Sequence, residues 1–425
     1  MRLFARAGLA TLLLLVACNR PQPAADADLA AEIDAIPAVD NHAHPVRVIG
    51  ANEPPDRDFD ALPVDNMEPQ SDPARLRPDA PEVLEAVKAL SGKQQAMREK
   101  GEQYPAWVLD QSKIGIMLAN RVEMAGGIGP PRFLWVPYAD ALIFPLDNSL
   151  LAARNPDRKA FFALEDNLRR RYLDALGLKT VPATLGEYLS RVVTPTLERQ
   201  RAGGAVAEKF EAAYLRGLDF DKVERATAEA IYARRLGKGA VPETEYKPLQ
   251  DFLFQYIAAE CGRLGLAVHL HTSAGSGGFF QVGGANPLLL ESVFNDPDLR
   301  RTKFVMVHGG WPFTREVAAL LTKPNVWADF SAQDLLLSAE TLATTLREWL
   351  EYVPEKVLFG TDAYPYGAQL GWEESAWVAA RSGRHALAIA LTQMVRSGDI
   401  TRSRASQLAR MVLRDNASAL YGLPK

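Results

Sequence analysis

Eight short apolar runs punctuate this chain, and helical periodicity fills much of the space between them. The runs cover residues 36–44, 114–119, 133–138, 205–213, 267–271, 304–308, 326–330 and 357–360. Short segments that are apolar nearly throughout, rather than alternating, suit parallel strands buried on both faces. Helical spacing of apolar residues lies at 82–90, 159–176, 184–199, 221–236 and 248–264, and a helical tail covers 403–420. Strand followed by helix, repeated, predicts an α/β fold built on a parallel sheet. Eight strands make a distorted (β/α)8 TIM barrel the leading expectation, with a doubly wound open sheet as the alternative. Residues 50–200 exceed what two ordinary strand-helix units require, so an early helical and loop insertion is expected there. The stretch 53–81, rich in Pro and Asp, reads as a long loop.

Charge narrows the partners. With 48 Lys+Arg against 52 Asp+Glu, the net charge of −4 lacks the basic excess that a nucleic-acid partner demands. The chain opens MRLFARAGLATLLLLVACNR, with Arg2 and Arg6 ahead of an uncharged run over 7–17 that stops at Cys18. That run is too short to span a bilayer as a mature helix. Leu15-Val16-Ala17-Cys18 resembles the lipobox of bacterial lipoproteins, in which the cysteine is lipidated and becomes the new N-terminus. The expected organisation is therefore a signal peptide over 1–17, a tether over 18–30 and a barrel over 31–425, anchored to the membrane in the periplasm. The second cysteine, Cys261, falls in a helical pattern, where a buried inert thiol is expected.

The chain has six histidines, at 42, 44, 269, 271, 308 and 385. All but His385, which sits in an Arg-flanked helical stretch, lie at the C-terminal ends of expected strands. That rim is where a barrel gathers its catalytic groups. Residues i and i+2 of a strand share a face, so His42 and His44 project together, and His269 and His271 repeat the pattern. His308 ends the next strand, and Asp362 follows the apolar run 357–361. Neutral imidazoles and a carboxylate converging on one rim suit a divalent ion of the zinc type. Such an ion, with one position open, makes a nucleophilic water at neutral pH and polarises a carbonyl. Asp40 and Asp329 are candidate partners for the ligands.

Asp40-x-His42-x-His44, the histidine before Thr272, VMVHGGWP around His308 and LFGTDAYP around Asp362 resemble the metal-dependent amidohydrolase superfamily. More narrowly, the chain is similar to the amidohydrolase-related branch that includes aminocarboxymuconate-semialdehyde decarboxylase-like enzymes and the N-terminal part of nodulin/glutamine synthetase-like fusions. The segments KFEAAYLRGLDF (209–220) and LARMVLRDNASALYGL (408–423) extend the resemblance. It implies a barrel holding one or two divalent ions, zinc first among them, with His42, His44, His271 and Asp362 as ligands. Asp362 would also be the base that takes the proton of the attacking water. His308 would polarise the scissile carbonyl or bind a second ion. Lys209 resembles a lysine that is carboxylated in two-metal members, or is a plain lysine paired with a carboxylate. For His269 the roles of substrate contact, donor behind a ligand and competing ligand stay open.

The implied activity is hydrolysis of a C–N bond (amide or lactam) or an ester in a small molecule. A non-oxidative decarboxylase on the same site and an inactive binding lipoprotein are the alternatives. The glycine-rich run 274–284 lacks the spacing of a phosphate loop and is expected to rim the pocket, with Phe279 and Phe280 toward substrate. Arg216, Trp311 and Tyr364 are expected near the same rim, Arg216 either holding a substrate carboxylate or solvated. A homodimer is the default oligomer.

Overall fold

The computed structural model describes residues 25–50, 53–63, 73–275, 277–367 and 369–423. Cys18 and the expected signal peptide lie outside them. Eight parallel strands follow in sequence: β1 (Ala38–Ala43), β2 (Ile114–Asn120), β3 (Phe133–Val136), β4 (Ala207–Phe210), β5 (Ala267–His271), β6 (Lys303–Val307), β7 (Val326–Asp329) and β8 (Val357–Leu358). Their order is β1-β2-β3 in one sheet and β4-β5-β6-β7-β8 in the other. Parallel bridges join the two sheets at both seams, Trp135 to Ala205 and Tyr138 to Lys209 on one side and Ala43 to Ala363 on the other. The result is a closed barrel rather than an open sheet.

Parity along the strands sorts the side chains. Val39, Leu118, Val136, Ala207, Ala267, Val305, Val307 and Leu358 fill the inside of the barrel, together with Ala417 and Leu420 from the C-terminal helix Asn416–Tyr421. Their neighbours in sequence, such as Val268, Leu270, Phe304 and Met306, face out into a larger core shared with the surrounding helices. Both faces of most strands are thus largely buried, which is why most of the runs are apolar rather than alternating, with the polar residues of β1 and β4 as exceptions.

The insertion expected at 50–200 resolves into two connections with β2 and β3 between them. Before β2 come the helices Pro81–Ala89, Lys93–Lys100 and Tyr104–Gln111; after β3 comes the long helix Pro156–Ala175. The segment 53–63 is folded back onto the barrel by Arg121, which is 1% exposed and clamps both oxygens of Asp56 at 2.9 and 3.0 Å while donating to the Pro45 carbonyl. Within the stretch expected as a tether, 18–30, the described residues from 27 on are helical. Asp26 caps a helix at Ala27–Asp34, whose Leu29 and Ile33 are buried, and the Asp26 backbone N–H donates to Thr392 on the long helix Trp372–Arg396. Two apolar residues spaced by four make this stretch an amphipathic helix rather than a spacer. Cys261 is buried and free, its thiol pushed up by burial.

Candidate metal centre

The first strand carries the feature on which the site depends. Val39 points into the barrel, so regular alternation would send residue 41 in and residues 42 and 44 out. The register against β2 shifts between Asp40 and Ala43, and Ala43 joins the outer core. An irregularity of this kind re-aims side chains. It turns His42 and His44 toward the barrel mouth, with their Nε2 atoms 3.3 Å apart.

Asp362 meets them from the end of β8. Its Oδ1 lies 3.2 Å from His42 Nε2 and 3.6 Å from His44 Nε2. Among the described residues, these three form the one group of His, Cys, Asp and Glu whose ligand atoms lie within 4.8 Å of one another. The backbone holds Asp362 there: its N–H donates to the His42 carbonyl at 2.7 Å, and its φ of 53° is left-handed. His308 is left-handed too, at 65°, and is followed by Gly309 and Gly310. A Cβ at Gly309 would come 2.2 Å from the Trp349 ring, so the turn after β6 admits glycine alone. Non-glycine residues with positive φ are strained and persist where the surroundings over-determine them.

Each ring is set by its second nitrogen. His44 Nδ1–H donates to the Phe59 carbonyl at 3.2 Å, which leaves Nε2 as the lone pair facing the centre. The Asn120 amide sits 2.7 Å from His42 Nδ1. As placed, its nitrogen donates and its oxygen is buried without a partner. Turning that amide over would give the oxygen to an Nδ1–H and free Nε2 for a cation, at the cost of the 3.3 Å bond from Nδ2 to the Ala43 carbonyl, so the orphaned oxygen and the donor set fit a metal ion. Asn120, on β2, is a site residue that sequence reasoning missed; it ends its strand as the histidines do, but an amide at a strand end carries no chemical signature of its own.

Lys209 is fully buried, with Nζ 3.3 Å from His42 Nε2. Burial and the Lys209 charge together hold His42 and His271 well below the ordinary histidine value. His308 is lowered in the same way, by burial first and then by His271 and Lys209. Neutral rings are the form that binds metals. Burial raises Asp362, against the opposing pull of His44 and Lys209.

The other expected site residues divide. His308 packs edge-on against His42 and His271, with ring centroids 4.9 and 4.7 Å away. His271 is at the mouth but outside the compact group: its Nε2–H donates to the Ser273 carbonyl at 3.1 Å, and its ring leans on Tyr214. His269 lies deeper, with Nε2 2.7 Å from the Tyr421 hydroxyl. His385 is exposed on the helix Trp372–Arg396, away from the others.

Arg216 is not free for a substrate. It is 7% exposed, pairs with Asp251 at 2.7 Å, donates to Gln250 and lies 4.3 Å over the Phe220 ring. A guanidinium so nearly out of water needs fixed partners, and the fold supplies them. Phe279 is 48% exposed. Phe280 takes the place expected of it, 5.0 Å from Tyr214 and 6.2 Å from His271. Trp311 contributes its carbonyl, which accepts from Ala274 N–H and ties the loops after β5 and β6. On the opposite side, Tyr364 stacks edge-on against His44 and Phe59, and Tyr366 sets its hydroxyl beside Asp362; burial first, and then the Asp362 charge, raise the phenol's pKa. The mouth is therefore walled by aromatic rings on two sides.

A closed parallel barrel with histidines and a carboxylate converging at the C-terminal ends of its strands is the architecture of metal-dependent barrel enzymes. Residues 160–423, more than half of the chain, match the family described as Amidohydrolase, and the chain belongs to that family. Protein fluG of Emericella nidulans is 30% identical over 253 residues, which is 56% of this chain and 28% of that protein. The chain thus spans less than a third of that relative. Among solved structures, a proposed metal-dependent hydrolase of Lactobacillus casei superposes with a TM-score of 0.61 at 16% identity, covering 93% of this chain and 97% of the other. Glucuronate isomerase of Caulobacter crescentus gives 0.60 at 15% identity, covering 94% of both chains. At these identities the likeness is one of fold.

Proposed function

We propose that the protein is a metal-dependent hydrolase that cleaves a C–N bond (amide or lactam) or an ester in a small molecule, using one divalent ion, zinc first among the candidates. The observation that carries this reading is the convergence of His42 Nε2, His44 Nε2 and Asp362 Oδ1. Their chemistry suits a zinc-type ion, and the single compact group supports one ion rather than two. Bound there, the ion would supply an acidified water and an electrophile for a carbonyl oxygen.

The chain's own groups do the rest. The Asp362 side chain is 17% exposed while His42 is fully buried, so Asp362 is the ligand that substrate and water can reach. It accepts the proton of the attacking water and passes it to the leaving nitrogen or oxygen, as a general base followed by a general acid. The aromatic walls of Tyr214, Phe280, Tyr364 and Phe59 exclude water and suit a flat or apolar group next to the scissile bond.

Decarboxylation is the weaker reading on one specific ground. It calls for a cation on the substrate carboxylate, and Arg216 is committed to Asp251. The reading extends to location: a chain lipidated at Cys18 would work at the periplasmic face of a membrane on peptides, acylated amino acids or wall fragments.

Metal content of the purified mature protein tests the centre, with about one zinc per chain expected; less than roughly 0.2 under metal-replete conditions would remove the metalloenzyme reading. Parallel assays of aryl-amide hydrolysis and carbon dioxide release separate the two reactions. Release of carbon dioxide without amide or ester turnover would overturn hydrolysis.

A further inference from the structure

Behind the metal centre, one line of hydrogen bonds runs through the barrel interior from the C-terminal helix to His308. The Tyr421 hydroxyl donates to Asn41 Oδ1, and therefore accepts from His269 Nε2–H at 2.7 Å. Asn41 Nδ2 donates to Asp329 Oδ2 at 2.6 Å. Asp329 Oδ1 accepts from the His308 backbone N–H at 2.9 Å, the Ser331 N–H at 3.1 Å and the Ser331 hydroxyl at 2.6 Å. Ser331 Oγ in turn lies 2.9 Å from His308 Nδ1. Asn41, Asp329 and Ser331 are fully buried.

The direction of each bond follows from the donors available. Asp329 receives four N–H or O–H groups and has no acceptor beside it among its partners, so it serves as a carboxylate. Ser331 has one hydroxyl proton and gives it to Asp329. Its oxygen can therefore only accept from His308, whose Nδ1 carries the proton. The neutral ring then has its lone pair on Nε2, and the ring itself packs edge-on against His42 and His271.

We propose that Tyr421, Asn41, Asp329 and Ser331 form one positioning relay that presents the Nε2 lone pair of His308 to the centre, making His308 an acceptor of a proton or cation rather than a donor to the substrate carbonyl. The relay also gives His269 its place: it is the far end of the same line, an Nε2–H donor to Tyr421, and not a competing ligand. The helix Asn416–Tyr421, which plugs the barrel floor through Ala417 and Leu420, thereby reaches the chemistry at the mouth.

The test uses the full mature chain with 15N-labelled histidine, and two readouts. Two-bond 1H–15N correlations report each tautomer without any metal, so this arm stands even if the metalloenzyme reading fails. Zn(II) affinity by competition with a chelator is the second arm, and it rests on that reading. The wild type is expected to show His308 as the Nδ1–H form and His269 as the Nε2–H form. Ser331→Ala is expected to mix the His308 tautomers and weaken Zn(II) binding roughly tenfold, the scale of losing a partner behind a ligand. Ser331→Thr, which keeps the hydroxyl, is expected to restore both. Tyr421→Phe is expected to change the His269 signals and weaken Zn(II) binding by a smaller factor. An Nε2–H signal for His308 in the wild type would overturn the relay. So would a folded Ser331→Ala whose tautomer is unchanged, or a Ser331→Thr that behaves like Ser331→Ala.

Discussion

The chain writes the same His-x-His pattern on two strands, and the fold uses the two pairs differently. On β1 the pairing register slips beside the motif, and the two Nε2 atoms end 3.3 Å apart on one carboxylate. On β5 the register against β6 is unbroken from Ala267 to His271. There the residues stay about 6.6 Å apart along the strand. His269 remains in the interior layer opposite Lys209 and Val305, and His271 reaches the rim. The same two letters thus make a metal clamp where the strand is irregular, and two separate polar contacts where it is regular. Spacing in sequence says that two side chains share a face; only local backbone geometry says whether they meet.

The contrast is most exposed to substitution at the clamp. His42→Ala, His44→Ala and Asp362→Asn are each expected to weaken zinc binding by roughly 100-fold or more and to abolish turnover, since each removes one of three converging ligands. Metal stoichiometry after dialysis measures this, and His269→Asn under the same treatment is expected to retain its zinc. Loss of metal from His269→Asn would mean that both pairs are ligands.

The next largest effect is on stability against pH. Burial and Lys209 push His269 down to about 3 from an ordinary value of 6.5. The unfolded chain binds a proton that the fold refuses, so this contribution is complete above pH 6.5 and is lost as pH falls toward 3. By pH 5 about 2 kcal/mol of it is gone. Asp40, held up at about 7 by burial, acts in the opposite sense, because the fold keeps a proton that the unfolded chain releases above its ordinary 3.8. Urea denaturation at pH 7 and pH 5 should therefore show His269→Asn losing about 2 kcal/mol less than the wild type; parallel losses would show that His269 is not buried neutral.

A smaller effect is expected at the rim. His271→Asn should weaken zinc binding by no more than roughly tenfold, as a residue beside the clamp rather than in it. A loss equal to that of His42→Ala in chelator competition would place His271 among the ligands, as the family resemblance implies. The smallest change is expected for Phe279→Ala, within about 0.5 kcal/mol in stability because the ring is exposed, with any effect confined to KM.

Much of this was legible in the residues. The eight apolar runs coincide with the eight strands to within a few residues, because parallel strands buried on both faces carry an unmistakable composition. The histidines stood out because the chain has so few. What stayed hidden were partners brought together over long separations: Asn120 at His42, Phe59 at His44, and Tyr421 some 380 residues from Asn41. Amides, carbonyls and a tail tyrosine have many uses, so their types carry no signal until the fold sets them beside a ring nitrogen. Arg216 misled for the same reason. A guanidinium near a rim suits a carboxylate in the substrate or one in the protein, and the burial of Asp251 beside it decided the matter.

The sequence by itself determined a parallel barrel and a set of imidazoles and a carboxylate able to ligate a divalent ion, since hydrophobic burial and metal chemistry each leave their mark in residue type and spacing. Only the tertiary structure decided which histidines meet. That choice depends on a slip of register on one strand, two left-handed turns at strand ends, and hydrogen bonds that direct each ring nitrogen. The glycines after His308 mark one of those turns in the sequence, but the register slip and most of the ring partners are set by packing against residues distant in the chain.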